Sequence, residues 1–266
     1  MFQLKLASCM AENTESFCQA MARYIQDQLG TPTEYVTGIP WQERERRFDE
    51  GEIHVLWLCG LPYVHKADLE PSRVELLAVP IPLGERYQGQ PVYFSDVVVR
   101  RCSLFQSFLD LRGGSWAFNE PRSHSGFNVV RAYLAELGQI DGFFGAVVES
   151  GAHTASLEMI LSGRIDAAAV DSTVLEWIVS EREEIRREIR VIETIGPSPI
   201  PPWVISKQVP LEFRCELRAL LLDLNLDEPG REILAQARIA RFIAAHDADY
   251  DPIRRMARKA DRVLLA

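Results

Sequence analysis

Short apolar segments alternate with amphipathic ones along this chain, and the alternation limits the fold more than any other feature. Residues 53–58 are apolar almost throughout, as in a strand buried on both faces. Residues 14–29 carry apolar side chains at helical spacing and are followed by Gly30, a common helix stop. Regular alternation of strand and helix predicts mostly parallel sheets with helices on both faces. The fold class is therefore α/β.

A second strand and helix series follows the first. Residues 165–170 resemble a buried strand. Residues 195–202 contain four prolines, which excludes a helix and favours an extended crossing of the chain. Three helical stretches are predicted to close the sequence, at 211–222, 229–244 and 249–263.

Charge and cysteine content exclude several classes of protein. The chain has 266 residues and a formal net charge of −9 at pH 7, which argues against nucleic acid or an acidic membrane as the main partner. The five cysteines are scattered and none has CxxC spacing, so neither a disulfide framework nor a zinc site is indicated. We expect no cofactor and no metal. No apolar run reaches the length of a membrane span.

A polar turn at residues 123–126 lies between a short apolar strand, 116–118, and a segment with helical spacing. The turn reads Ser-His-Ser-Gly. The first N–H groups of a helix lack partners and carry the positive end of its dipole, and two hydroxyls and an imidazole add donors here. The turn therefore predicts a site for a small anion, best a phosphate-like group. A serine that simply caps the helix remains the alternative.

Two further polar turns follow the same rule. His153 lies at a predicted helix start after Gly151, and Asp171 ends a predicted strand just before Ser172. In open α/β sheets, ligands bind outside the carboxyl ends of the strands. A helix cap is the alternative for each residue. Three polar turns at equivalent ends of one sheet favour a shared site.

These stretches resemble the phosphonate-binding family of periplasmic solute-binding proteins. The family's Ser-x-Ser-Gly turn corresponds to 123–126, its Gly-Ser-His-like turn to 151–153, and its Gly-x-Ile-Asp-Ala-Ala strand to 163–171. A turn with Pro and Tyr corresponds to 60–63, and a Tyr-x-Ser-x-Val-Val crossing strand to 93–98. The similarity spans essentially the whole chain in the right order.

The resemblance implies a two-lobed, periplasmic-binding-protein-like fold of type II. Each lobe would be a mostly parallel sheet flanked by helices, with the ligand cleft between the lobes. Lobe 1 would comprise residues 1–96 and 203–266, including the last three helices, and lobe 2 residues 97–202. The chain would cross between the lobes near 95–100 and near 196–203.

The resemblance also implies a function without catalysis. A monomeric solute-binding protein would capture a phosphonate, phosphate or phosphite by hinge closure and deliver it to the permease of an ABC importer. Asp171 would be a candidate for holding an ammonium group on the ligand. The resemblance implies that the phosphoryl oxygens would be held by Ser123, His124, Ser125, Gly126 and His153. It also implies that the wall of the first lobe would be formed by Tyr63, Tyr93 and Trp41.

Two departures from the family keep alternatives open. His124 stands where the family often has Thr, and it adds a donor expected to titrate near physiological pH. Strand-like sequence begins at Phe2 without a signal peptide before it, so a cytoplasmic location stays open beside the periplasmic one. A cytosolic enzyme on this fold, with Asp171, His153 and His124 as acid or base, is one alternative. A ligand sensor is the other.

Overall fold

A computed structural model of the protein describes residues 2–265, and the chain divides into two compact units. Unit 1 comprises Met1–Val92 and Pro199–Tyr250, and unit 2 comprises Tyr93–Ser198 and Asp251–Ala266. The chain therefore passes from one unit to the other after residues 92, 198 and 250.

The elements of residues 2–92 alternate as the sequence predicts. The strands are β1 (Leu4–Ser8), β2 (Thr33–Tyr35), β3 (Val55–Trp57) and β4 (Val74–Pro82). The helices are α1 (Glu15–Leu29), α2 (Trp41–Asp49) and α3 (Gly60–Ala67), with 3-10 turns at Glu12–Thr14 and Glu85–Tyr87. Gly30 ends α1 in the left-handed conformation, at φ 62°, and its N–H donates to the Gln26 carbonyl.

The elements of residues 93–198 form most of unit 2. The strands are β5 (Val92–Arg100), β6 (Ser115–Phe118), β7 (Ala146–Glu149), β8 (Ala167–Asp171) and β9 (Ile189–Pro199). The helices are α4 (Val129–Glu136), α5 (His153–Leu161), α6 (Ser172–Glu181) and α7 (Glu183–Glu188). A 3-10 turn covers Phe108–Leu111, and a π-helical turn, His124–Asn128, leads directly into α4.

The last part of the chain contributes to both units. It contains β10 (Trp203–Ser206), α8 (Leu211–Asp223), α9 (Glu228–Gln236), β11 (Ile239–Ile243), a 3-10 turn at Asp247–Tyr250 and α10 (Asp251–Ala260). The helix predicted over 229–244 is thus a helix followed by a strand. The strand forms because β11 pairs antiparallel with β4 and buries Ile239 and Phe242.

Each unit is built on its own sheet. The order in unit 1 is β11-β4-β10-β3-β1-β2, with β1 parallel to β2 and β3, and β10 antiparallel to β3 and β4. The order in unit 2 is β7-β6-β8-β5-β9, with β6 parallel to β7 and β8, and β5 antiparallel to β8. Strands β5, β10 and β11 depart from the predicted parallel arrangement, because each pairs antiparallel with a neighbouring strand.

Separate apolar cores hold the two sheets. In unit 1 the Trp57 ring lies 5.6 Å from Phe17 and 5.7 Å from Trp203. In unit 2 the Trp116 ring stacks on Phe144 at 4.6 Å. Buried aromatic pairs of this kind stabilise a core beyond the area they bury.

The C-terminal segment belongs to unit 2, so the prediction that all three last helices join the first lobe is wrong for α10. α10 packs against α4, and Val263 and Leu265 lie in the unit 2 core. The Arg131 guanidinium donates to the Val263 carbonyl at 2.9 Å, and the Phe144 N–H donates to the Leu265 carbonyl at 3.1 Å. The predicted boundary at residue 97 also moves, because unit 2 already begins at Tyr93.

Candidate functional site

The π-helical turn at 124–128 places the predicted anion-binding residues at a helix start. Ser123 is its cap, with its Oγ accepting the Gly126 N–H at 3.1 Å. The Asn128 N–H donates to the Ser123 carbonyl at 3.0 Å, a π-type bond. Such turns are rare and often occur at functional sites. The N–H groups that begin a helix have no intrahelical partner and can serve a ligand.

Gly126 lies against the Asn119 side chain, so that a larger residue at position 126 would have to displace the Asn119 amide. A Cβ at this position would lie 2.0 Å from the Asn119 Oδ1, well inside any normal contact. Asn119 follows β6 directly, and its carbonyl also accepts the Gly151 N–H at 2.8 Å. Asn119 therefore lies against two of the three polar turns that the sequence singled out, those at 123–126 and 151–153.

Ser125 and His153 meet within unit 2. Ser125 Oγ lies 3.1 Å from His153 Nε2, and both residues are buried. His153 is the first residue of α5, and Ser150 beside it holds the loop by donating its N–H to the Phe118 carbonyl at 2.8 Å. The turns at 123–126 and 151–153 thus converge, as the sequence predicts for strand ends of one sheet.

His153 is held as a neutral side chain. Burial lowers its pKa to about 4, with the backbone of Ala169 acting weakly in the opposite direction. Its Nδ1 makes no hydrogen bond of normal geometry to residues 2–265. A buried imidazole of this kind donates or accepts a hydrogen bond without adding a charge.

His124 is fully buried and both ring nitrogens are engaged. Nδ1 lies 3.0 Å from the Asn128 Nδ2, and Nε2 lies 3.0 Å from the Ser198 Oγ. Burial lowers the pKa of His124 to about 3. The expectation that this histidine titrates near physiological pH is therefore wrong, because desolvation disfavours the imidazolium.

Asp171 acts as a helix cap in unit 2. Its Oδ1 accepts the Thr173 N–H at 2.8 Å and the Thr173 hydroxyl at 2.7 Å. Burial raises the pKa of Asp171 to about 6, against the lowering effect of these hydrogen bonds. The cap is the alternative that the sequence left open for this residue, and a ligand role for Asp171 stays a prediction.

Tyr93 lies beside the π-helical turn. Its ring is 6.4 Å from the His124 ring in an edge-on arrangement, and it is buried. The neighbouring Phe94 N–H donates to the Ser172 Oγ at 3.0 Å, which ties the start of β5 to α6. The resemblance placed Tyr93 in the wall of the first lobe, but it is the first residue of unit 2.

Tyr63 and Trp41 belong to unit 1. The residues 60–63, predicted as a turn, are the first turn of α3. The Tyr63 hydroxyl donates to the Asp247 Oδ1 at 2.7 Å. Trp41 is the first residue of α2, is half-buried, and its carbonyl accepts the Cys9 thiol at 3.6 Å. The role of both residues as a ligand wall stays a prediction.

Asn128 and Ser198 are buried polar residues that contact His124, and the sequence reasoning missed both. In the sequence Asn128 follows the polar turn at 123–126 without a distinguishing pattern, and Ser198 lies within the proline-rich stretch 195–202. The spacing of four between His124 and Asn128 is a signal that could have found the first of them, because such residues face each other on a helix.

Nothing in the described part of the chain points to a metal or a membrane span. No group of three or more His, Cys, Asp or Glu residues among 2–265 is arranged to hold a metal ion. No helix within the same residues combines the length and apolar character needed to cross a bilayer.

Comparison with known proteins places these features in a family. A sequence model of the family described as "ABC transporter, phosphonate, periplasmic substrate-binding protein" matches residues 8–250. The chain is 21% identical over 250 residues to a probable ABC transporter phosphite binding protein, PhnD1, from Prochlorococcus marinus (strain MIT 9301). That match covers 91% of this chain and 83% of the relative.

Solved structures share the fold. PhnD1 from Prochlorococcus marinus in complex with methylphosphonate superposes with a TM-score of 0.85 at 19% identity, covering 98% of this chain and 99% of that one. A binding protein component of an ABC phosphonate transporter from Pseudomonas aeruginosa gives a TM-score of 0.84 at 17% identity, covering 97% and 87%. These likenesses confirm the predicted α/β fold of the type II periplasmic binding proteins.

The family model covers most of both units, including the polar turns at 123–126 and 151–153, and it ends before α10. The chain belongs to the phosphonate-binding family of periplasmic substrate-binding proteins of ABC transporters.

Proposed function

We propose that this protein binds a small phosphorus oxyanion at the turns 123–126 and 151–153 of unit 2. The observation that carries the proposal is the contact between Ser125 and His153, 3.1 Å apart, which joins the starts of two helical segments. Hydroxyl, imidazole and helix-start N–H groups then lie together, and a tetrahedral oxyanion can accept hydrogen bonds from all of them.

Neutral donors dominate this part of the site. His124 and His153 are both uncharged near pH 7, since burial lowers their pKa values to about 3 and about 4. Hydrogen bonds to an ionised acceptor are roughly twice as strong as those between neutral groups. The ligand supplies the charge and the protein supplies oriented donors, so a net protein charge of −9 does not prevent anion binding.

The proposed ligand class is phosphonate or phosphite without an ammonium group. A relative is named a phosphite binding protein, and another structure of the same fold holds methylphosphonate. In unit 2 the buried carboxylates are engaged by the protein itself, with Asp171 held by Thr173 and Asp96 accepting the Thr194 hydroxyl at 2.9 Å. An aminoalkyl substituent would have to share a carboxylate that already accepts hydrogen bonds from the protein.

Family membership supports three further proposals. The protein delivers its ligand to the permease of an ABC importer, it acts in the periplasm, and it releases the ligand unchanged. Incubation with methylphosphonate followed by phosphorus NMR tests the last point. We expect the starting signal alone, and a product signal would indicate an enzyme.

A ligand panel in a thermal-shift assay tests the proposed function. The panel contains phosphite, methylphosphonate, phosphate, aminoethylphosphonate and sulfate. At a hundredfold excess over Kd a ligand stabilises the folded state by about 2.7 kcal/mol, which raises the melting temperature by roughly 5–10 °C for a chain of this size. We expect phosphite or methylphosphonate to give this shift and sulfate to give none.

Matched serine variants locate the effect. Ser125→Ala should abolish the shift, because it removes the hydroxyl beside His153. Ser180→Ala, at an exposed position of α6, should leave it intact. The proposal is wrong if no phosphorus oxyanion shifts the wild-type melting temperature, or if Ser125→Ala responds like the control.

A further inference from the structure

A chain of buried hydrogen bonds runs from Asn128 through His124 to Ser198. The Asn128 Nδ2 lies 3.0 Å from the His124 Nδ1, and the His124 Nε2 lies 3.0 Å from the Ser198 Oγ. All three residues are at most 4% exposed. Buried polar networks are costly unless every member is satisfied, so each of these bonds matters to the turn.

The order of donors along this chain fixes the state of the histidine. An amide NH₂ group can only donate, so the His124 Nδ1 must accept, and a neutral imidazole then carries its proton on Nε2. Burial keeps the ring neutral. The His124 Nε2–H therefore donates to the Ser198 Oγ, and the Ser198 hydroxyl keeps its own proton for another acceptor.

We propose that Asn128 and Ser198 are positioning residues of the oxyanion site and that they act through His124. Asn128 sets the tautomer of His124, and His124 holds the Ser198 hydroxyl as a donor toward the bound oxyanion. The inference rests on the proposed function of the turns at 123–126 and 151–153. His124 itself is a link rather than a ligand contact, because Asn128 and Ser198 already occupy both of its ring nitrogens.

Ser198 lies at a point where the chain changes unit, and it is hydrogen-bonded to His124. Ser198 is the last residue of unit 2 before the chain enters unit 1, and Tyr93, the first residue of unit 2, packs edge-on against His124. The His124 imidazole therefore contacts both Tyr93 and Ser198, the first and last residues of the segment Tyr93–Ser198 of unit 2. A change at Asn128 is expected to alter ligand affinity although its side chain is directed to His124.

NMR of the histidine rings tests the inference without any ligand. In protein labelled with ¹⁵N, we expect His124 to be the neutral Nε2–H tautomer at pH 7. We expect Asn128→Leu, which keeps the size but removes the donor, to give a mixture of tautomers. A proton on Nδ1 in the wild-type protein would overturn the proposal even if the protein binds phosphorus oxyanions.

Calorimetric titration with methylphosphonate or phosphite tests the consequence for binding. We expect Asn128→Leu and Ser198→Ala each to weaken binding about tenfold. The double variant should also lose only about tenfold, because both changes break the same chain of hydrogen bonds. Additive losses of about a hundredfold would overturn the coupling. Asn225→Leu in unit 1 is the matched control and should bind like the wild type.

Two substitutions of His124 separate hydrogen bonding from shape. The amide of Gln extends far enough to replace the Nε2–H, whereas that of Asn ends near the Nδ1 position. His124→Gln should therefore stay within about threefold of wild-type affinity, and His124→Asn should lose about tenfold. Equal losses would show that His124 only fills space. Melting temperatures and circular dichroism of each variant identify any that fails to fold.

If the wild-type protein binds none of the phosphorus oxyanions, the proposed function fails, while the NMR result still decides the tautomer.

Discussion

Stability of the folded protein should fall in mild acid because two buried histidines resist protonation. His124 and His153 have pKa values lowered to about 3 and about 4, against about 6.5 in an unfolded chain. Between these values the unfolded state takes up protons that the folded state does not. The free energy of unfolding therefore decreases as pH falls below about 6.5.

The contribution of His124 can be isolated with one substitution. Each pH unit below about 6.5 costs about 1.4 kcal/mol per histidine, so His124 should account for about 2 kcal/mol of the loss between pH 7 and pH 5. Glutamine at this position does not titrate and retains a donor toward Ser198. All other titrating groups are common to the two proteins and cancel in the comparison, including Asp171, whose raised pKa acts in the opposite direction.

Urea denaturation at pH 7, 6 and 5 provides the measurement. We expect the wild-type protein to lose about 2 kcal/mol more than His124→Gln between pH 7 and pH 5. The His124 ring signals in NMR should not titrate over this range. Equal losses in the two proteins, or a His124 midpoint near 6.5, would refute the account of a buried neutral imidazole.

Three other substitutions test particular contacts. Gly126→Ala places a Cβ where it would meet the Asn119 Oδ1, and we expect the free energy of unfolding in urea to fall by about 1–3 kcal/mol. Adding Asn119→Ala should restore part of this loss. A double variant as unstable as Gly126→Ala alone would contradict the steric argument. Asp171→Ala removes a helix cap and should lower the free energy of unfolding by about 1 kcal/mol. Asp171→Ser should lower it less, because serine can also cap a helix. Equal losses in the two variants would argue against capping. Ile253→Ala opens a fully buried site on α10 and should cost about 2–5 kcal/mol, and hydrogen exchange should rise in unit 2; a rise confined to unit 1 would contradict the placement of α10.

Local patterns in the sequence predicted much of the fold. The apolar run at 53–58 is a buried strand, and α1 ends at Gly30 with the expected left-handed cap. The unit in which a terminal helix packs depends on long-range contacts. No local signal in the sequence indicates that α10 packs against α4. Similarly, the end of α9 and the start of β11 depend on pairing with β4, which periodicity over 229–244 does not show.

The sequence predicted the convergence of two polar turns in the candidate site, and it predicted the protonation state there only in part. Strand ends before helices identified the turns that bring Ser125 and His153 to 3.1 Å. The protonation state of His124 could not be predicted, because it depends on burial that the surrounding strands provide. The same holds for Ser198, which is far from His124 in sequence and meets it only in the folded unit.

A crystal structure of the protein grown with methylphosphonate tests the central claim most directly. The account predicts a tetrahedral density in unit 2 whose oxygens accept hydrogen bonds from the Ser125 hydroxyl, the His153 Nε2 and N–H groups of the turn at 123–126. Methylphosphonate bound elsewhere, with the Ser125 and His153 side chains still hydrogen-bonded only to each other, would contradict it.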